Sequence, residues 1–153
     1  MEPTTPSRSA YATLTPDQVL DALDSVGLRG DGRLLALNSY ENRVYQVWME
    51  EGPPVVAKFY RPARWSDLAI QEEHAFTREL LERELPVVTA TAIEGSVLHE
   101  FNGFRFSVFP KRGGRAPELQ DPKTLEWMGR FLGRIHAVGR LAPFRERPTL
   151  DIE

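Results

Sequence analysis

The sequence predicts an α+β fold: an antiparallel sheet interrupted by one long helix and followed, beyond a glycine-rich connector, by a second. Three observations carry this. Short strand-like runs recur at 33–37, 43–49 and 55–60, the last two rich in β-branched and aromatic residues. Their connections are too brief to hold a crossover helix, so neighbours must be antiparallel. A helix-period stretch then begins at Ser66-Asp67, and more strand-like runs follow it up to Pro110 and the connector Lys111-Arg112-Gly113-Gly114-Arg115.

Bulk composition excludes several classes of function. With 153 residues, 41% hydrophobic and 27% charged, the chain has room for one domain, or one domain and part of another. A net charge of −3 with no basic patch among aromatics gives no reason to expect a nucleic-acid partner. No cysteine is present, so neither a disulfide frame nor a thiolate metal site is expected. The N-terminus lacks the apolar core of a signal peptide, and no run approaches membrane-spanning length. A cytoplasmic protein without membrane association is the expectation.

Residues 1–13 are rich in Pro, Ser and Thr without periodicity and are expected to be a disordered tail. Thr15-Pro16-Asp17 opens a helix, with Thr15 as N-cap, Pro16 at the first position and Asp17 at the positive end of the dipole. Val19, Leu20, Leu23 and Val26 form its apolar face, and Gly27 closes it. The three strand runs follow. The turn between the first two, Asn38-Ser39-Tyr40-Glu41-Asn42, contains no glycine and is accounted for as an ordinary hairpin turn by asparagine's tolerance of left-handed angles.

Lys58 stands in the middle of the apolar run Val55-Val56-Ala57-Lys58-Phe59-Tyr60. A lysine on the wet face of a sheet or guarding an edge explains it. A phosphate-gripping lysine, paired to a glutamate on the next helix as in a kinase small lobe, explains it too. The second account demands an inward glutamate soon afterwards. Leu68, Ala69, Glu73, Phe76, Thr77 and Leu80 step by three or four along the next helix, to about residue 83, and would place Glu73 on its apolar face. A carboxylate there needs a cation, whereas Glu72 points about 100° away, toward solvent. Strands over 91–94 and 96–100 around Gly95, then 104–109, complete the sheet. Asp121-Pro122 caps the last helix, with Leu125, Met128, Leu132 and Ile135 as its stripe. Gly129 and Gly133 share one face, which suggests close approach of another backbone. His136, without a second ligand one turn away, reads as a capping or core residue.

Several segments recur together. They are 37–46 (Leu-Asn-Ser-Tyr-Glu-Asn-Arg-Val-Tyr-Gln), 56–65 (Val-Ala-Lys-Phe-Tyr-Arg-Pro-Ala-Arg-Trp), Glu72-Glu73-His74, Val108-Phe109-Pro110 and 129–136 (Gly-Arg-Phe-Leu-Gly-Arg-Ile-His). In this order they resemble the bacterial stress response kinase A family, in the aminoglycoside phosphotransferase and choline kinase-like branch of the protein-kinase-like superfamily. The resemblance covers nearly the whole chain from Leu14 onward. It implies a kinase-like N-terminal lobe over 14–111, an antiparallel sheet with a C-type helix, and a hinge exit plus the start of a C-terminal lobe over 112–153. It implies ATP and Mg2+ as cofactors, transfer of the γ-phosphate to Ser or Thr of proteins, autophosphorylation, a role in stress response and a monomer when intact. Residue by residue, Ser39, Tyr40, Glu41 and Asn42 would cover the phosphates. Lys58 would grip the α- and β-phosphates with Glu73 orienting it, and Val108, Phe109 and Lys111 would present the hinge to adenine. Pro110 has no N–H, so a hinge donor must be Phe109, Lys111 or Arg112.

The family's catalytic aspartate and its metal-holding asparagine and aspartate belong to the C-terminal lobe, and no His-Gly-Asp-like loop occurs in this sequence. The expectation is therefore an N-terminal lobe with the first C-terminal-lobe helix, no catalytic residue or metal ligand in the chain, and no activity of the chain alone. Two alternatives remain open at this stage: a non-catalytic nucleotide- or partner-binding module, and the small lobe of a choline- or aminoglycoside-type small-molecule kinase.

Overall fold

The computed structural model describes residues 10–149, so most of the tail expected over 1–13 lies outside the described residues. The element order is α1 (Pro16–Asp24), β1 (Gly30–Leu37), β2 (Arg43–Met49), β3 (Val55–Phe59), α2 (Asp67–Glu82), β4 (His99–Phe101), β5 (Phe104–Pro110) and α3 (Pro122–Gly139). This is the expected α+β class. The chain divides into two compact units, Met1–Asp67 with Ala90–Lys111 and Leu68–Thr89 with Arg112–Glu153. All but the first residue of α2 therefore groups with the second unit, whereas its place in the sequence assigned it to the first lobe.

The first unit is a five-stranded sheet in the order β1-β2-β3-β5-β4, antiparallel throughout. One face carries Val47, Ala57, Phe59, Phe104, Phe106 and Val108 into a core closed by Val19, Ala22 and Leu23 of α1. Phe59 stacks on Phe106 with ring centroids 5.3 Å apart and meets the Tyr45 ring edge-on. The start of α1 is as expected, with the Thr15 side chain accepting the Gln18 amide. At its end Gly27 takes φ +80, and the Leu28 amide donates back to the Leu23 carbonyl at 2.9 Å. That is the left-handed closure a glycine permits.

Three expectations for this unit are corrected. Tyr11 is not in a loose tail: it is 7% exposed, within the core cluster, and stacked on Phe104. No strand forms over 91–94, and of the run 96–100 only His99 and Glu100 are in a strand, β4. Glu94 and Gly95 adopt φ +50 and +81, the paired left-handed angles of a tight hairpin turn, and the pairing stops at one bridge between Ile93 and Ser96. Local bonds take over the flanks, since Ser96 Oγ bonds Leu98 and the Thr91 amide goes to the Val108 carbonyl. Finally, β5 includes Pro110 as its last residue, paired with Val55.

In the second unit Leu80, Leu85 and Val138 form a small core with Phe76, Val87 and Ile135 against it. Helix α2 ends on Glu84, held at φ +59, with the Leu85 amide donating to the Leu80 carbonyl at 3.0 Å. A glutamate thus occupies the place usually given to glycine. The buried side of α2 includes Ile70 and His74 besides Ala69 and Leu80, and Leu68 is exposed. Leu68 lies about 200° round the helix from Ile70, so the two cannot share a face. On α3, Asp121 caps the first turn, accepting from the Lys123 and Thr124 amides. Leu125 and Leu132 are 50% and 53% exposed. A Cβ at Gly129 or Gly133 would meet no atom within 4 Å, so among the described residues no backbone approaches those glycines. His136 is exposed in the last turn, a helix-end rather than a core position.

Candidate functional site

Lys58 occupies the middle of the sheet, opposite Val44 of β2 and Ser107 of β5. Strand alternation sends Ala57 and Phe59 into the core and Lys58 to the other face, with Val56. There its ammonium lies 4.8 Å from the centroid of the Tyr60 ring, a cation–π contact. Tyr60 is 2% exposed; its hydroxyl donates to Ser107 Oγ at 3.3 Å, and Ser107 Oγ donates to the Val97 carbonyl at 2.6 Å. This buried polar chain fixes the ring that the ammonium sits on. The sequence reading passed over Tyr60, although its place two residues after Lys58 was the available signal.

The loop between β1 and β2 is held by its neighbours in the same unit. Ser39 Oγ donates to the Asn42 carbonyl at 2.6 Å, and Asn42 Oδ1 accepts the Arg61 amide at 3.2 Å. The Glu41 carboxylate accepts from Arg64 Nε at 2.5 Å and from the Trp65 indole at 3.3 Å. Burial alone would push the Glu41 pKa up, but these two hydrogen bonds, with the charges of Arg64 and Arg61, hold it below the usual carboxylate range. Tyr40 points outward and is 99% exposed. The Tyr11 hydroxyl donates to the Glu41 carbonyl at 2.9 Å, and burial raises that hydroxyl's pKa to about 12.

At the opposite end of β3, the exit strand β5 leaves the sheet. Val55 pairs with Pro110 and Val56 with Phe109. Val108 is buried and its carbonyl accepts the Thr91 amide at 2.7 Å, whereas Phe109 is half-buried and Lys111 exposed. Lys58 and the 39–42 loop therefore lie near one end of β3, and residues 109–111 near the other. Lys58 is three steps along the strand from Val55, about 10 Å of extended chain.

Glu73 belongs to the second unit, half-buried on α2. Its carboxylate accepts from the Arg147 guanidinium at 2.5 Å, and Arg147 Nε also donates to the Ala69 carbonyl at 3.2 Å. Glu72 is not simply solvated, as expected from its direction. It accepts the backbone amides of Arg145 and Glu146 at 2.6 and 3.1 Å. Segment 145–147 thus engages both adjacent carboxylates. Nothing in the local sequence signalled this, because the partners lie over seventy positions apart. Among the described residues no group of three or more His, Asp or Glu could hold a metal ion, and no helix is long and apolar enough to cross a membrane.

A sheet-borne ammonium, an adjoining pinned loop and an exit strand one nucleoside length away can bind a phosphorylated nucleoside. The family model of the phosphotransferase enzyme family matches residues 33–153. The chain belongs to that family. A stress response kinase A of Shigella flexneri is 46% identical over 146 residues, covering 95% of this chain and 44% of that protein. A serine/threonine protein kinase RdoA of Salmonella typhimurium is 44% identical over 142 residues, covering 93% and 43%. The chain spans less than half the length of these relatives. Among solved structures it is similar to an amicoumacin kinase in complex with AMP-PNP, Ca2+ and amicoumacin, with TM-score 0.69, 20% identity and coverage of 84% of this chain and 42% of the other. A spectinomycin phosphotransferase bound to ADP and spectinomycin superposes with TM-score 0.62 at 14% identity, covering 80% and 37%. At those identities the likeness shows the fold alone, that of a kinase-like N-terminal lobe.

Proposed function

We propose that this chain supplies the ATP-binding lobe, and the opening of the next lobe, of an ATP-dependent kinase that phosphorylates Ser and Thr of proteins in a stress response. The observation that carries the reading is the register of β3: Lys58 sits beside the 39–42 loop, and the same strand's other end meets Pro110 where β5 leaves the sheet. An ATP lying along this face has adenine near 109–111 and phosphates near Lys58. Residues 108–111 present backbone groups to adenine, with none from an N–H of Pro110, which has no such hydrogen. Residues 39–42 cover the phosphates, and Lys58 neutralises the α- and β-phosphates. Such charge neutralisation is most of what a protein contributes to phosphoryl transfer.

Mg2+, when bound, would supply neutralisation of phosphate charge. In this reading its ligands, and the base that receives the hydroxyl proton, come from the part of the relatives' length that this chain does not span. The name of one curated relative, a serine/threonine protein kinase, favours a protein acceptor. In the intact protein, Lys58→Ala is expected to lower phosphotransfer about 10²–10³-fold, read by labelled phosphate on Ser and Thr after acid hydrolysis. Full activity in that variant would sink the proposal. The structural neighbours act on antibiotics; label recovered on a small hydroxylated acceptor and on no protein would move the assignment to that class.

A further inference from the structure

The 39–42 loop has no glycine to let it fold over phosphates, and yet the side chains of Glu41 and Asn42 are tied to the body of the sheet unit, while Ser39 bonds Asn42 within the loop. The ties come from two directions. On one side is Tyr11, ahead of the first helix. Its hydroxyl donates to the Glu41 carbonyl at 2.9 Å and lies 3.5 Å from the Phe59 carbonyl, joining the loop to the residue after Lys58. The Tyr11 ring is clamped between Phe104, stacked at 6.3 Å, and the Arg43 guanidinium at 4.6 Å. On the other side, the segment following β3 presents Arg64 and Trp65 to the two oxygens of the Glu41 carboxylate, and the Arg61 amide to Asn42.

We propose that Tyr11, Arg64 and Trp65 are positioning residues for the nucleotide: they hold the 39–42 loop in one conformation from outside, so that it meets the phosphates already ordered. Glycine-rich loops close on their ligand by moving, and the ordering is then charged against affinity. A loop pinned at Glu41 through both its backbone carbonyl and its carboxylate has little left to order. Glu41 accordingly faces the protein and not the nucleotide. Its carboxylate is turned toward Arg64 and Trp65, which keeps a negative charge away from the phosphates. The inference rests on the nucleotide-binding reading above.

The test uses this chain and its Tyr11→Phe variant, which keeps the stacked ring and loses only the hydroxyl. Amide hydrogen exchange of residues 38–43 is measured without nucleotide, and affinity for trinitrophenyl-ATP by fluorescence titration, with the thermal midpoint as a control. Loss of one such hydrogen bond is expected to speed exchange in the loop and weaken the nucleotide roughly fivefold, at a near-constant midpoint. Arg64→Gln, altering the half-exposed side of the clamp, gives the same pair of readouts where Tyr11→Phe fails to fold. Unchanged exchange in the variants overturns the clamp. Faster exchange with unchanged affinity overturns its role in binding, and the nucleotide site then stands. If the unsubstituted chain does not bind trinitrophenyl-ATP at all, the nucleotide reading falls and this proposal with it.

Discussion

The two units are built on different terms. The sheet unit buries Val47, Ala57, Phe59, Phe106 and Val108 essentially completely against α1, and its loops are tied by side chains. The helical unit has a small core cluster of Leu80, Leu85 and Val138 beside the buried Ala69, Ile70 and His74 of α2, and leaves Leu125, Trp127, Leu132 and Leu141 more than half exposed or at half exposure. What organises it instead is polar: Glu72 and Glu73 held by 145–147. The lesson is that a strong apolar pattern does not tell where burial occurs. In β3 the apolar residues had a facing helix; on α3 an equally regular stripe has, among the described residues, no comparable cover.

Core substitutions would break this contrast most directly. Phe59→Ala removes a fully buried ring stacked on Phe106 and is expected to cost about 3–5 kcal/mol, against about 0.5 kcal/mol or less for Leu132→Ala on the exposed stripe. Urea unfolding of both variants checks it, and a Leu132→Ala loss as large as that of Phe59→Ala would mean the stripe is covered. Next in size is Arg147→Ala, which removes the partly exposed bond to Glu73 and should cost about 1 kcal/mol at most. The sharper sign is faster amide exchange in the first half of α2 with the sheet amides unaffected; equal change in both would deny the second unit its separate behaviour.

Gly129→Ala and Gly133→Ala change stability in the other direction. With no atom within 4 Å of either new Cβ, each should stabilise α3 by about 0.5–1 kcal/mol, as read by the thermal midpoint. Destabilisation would reveal a backbone packed on that face. The smallest effect is that of acid on the Glu41 clamp. Although burial pushes its pKa up, the bonds from Arg64 and Trp65 and the neighbouring arginine charges leave the folded carboxylate below its ordinary range. Its contribution is therefore fully present above the unfolded pKa and fades as pH falls through the folded one. The Trp65 indole N–H resonance should move toward its solvent-exposed position in that acid window; a resonance that stays fixed there would show that Glu41 does not hold it.

Much of the sheet could be read from residues alone, because period-2 patterning and turn residues act locally. The run at 43–49 forms a strand over its full length, and Thr15 and Asp121 cap the helices at the positions their residue types favour. The family likeness rested on short contiguous motifs and likewise needed no tertiary information. Local reading failed where the determinant lay far away or where two local demands competed. Ser96 and the Glu94-Gly95 turn satisfied themselves and left no ladder, and Leu68 followed the apolar step without reaching the buried side.

By itself, then, the sequence determined most of the elements, the antiparallel run of the first three strands and the mid-strand place of Lys58, since each follows from side-chain alternation and chain connectivity within a few residues. Only the tertiary structure decided that Tyr11 belongs to the core and bonds the Glu41 carbonyl across thirty positions, that Tyr60 and Ser107 underlie the lysine, and that Arg147 meets Glu73. A hydrogen bond needs its donor within about 3 Å of its acceptor, and that proximity comes from packing the whole unit, which no local pattern encodes.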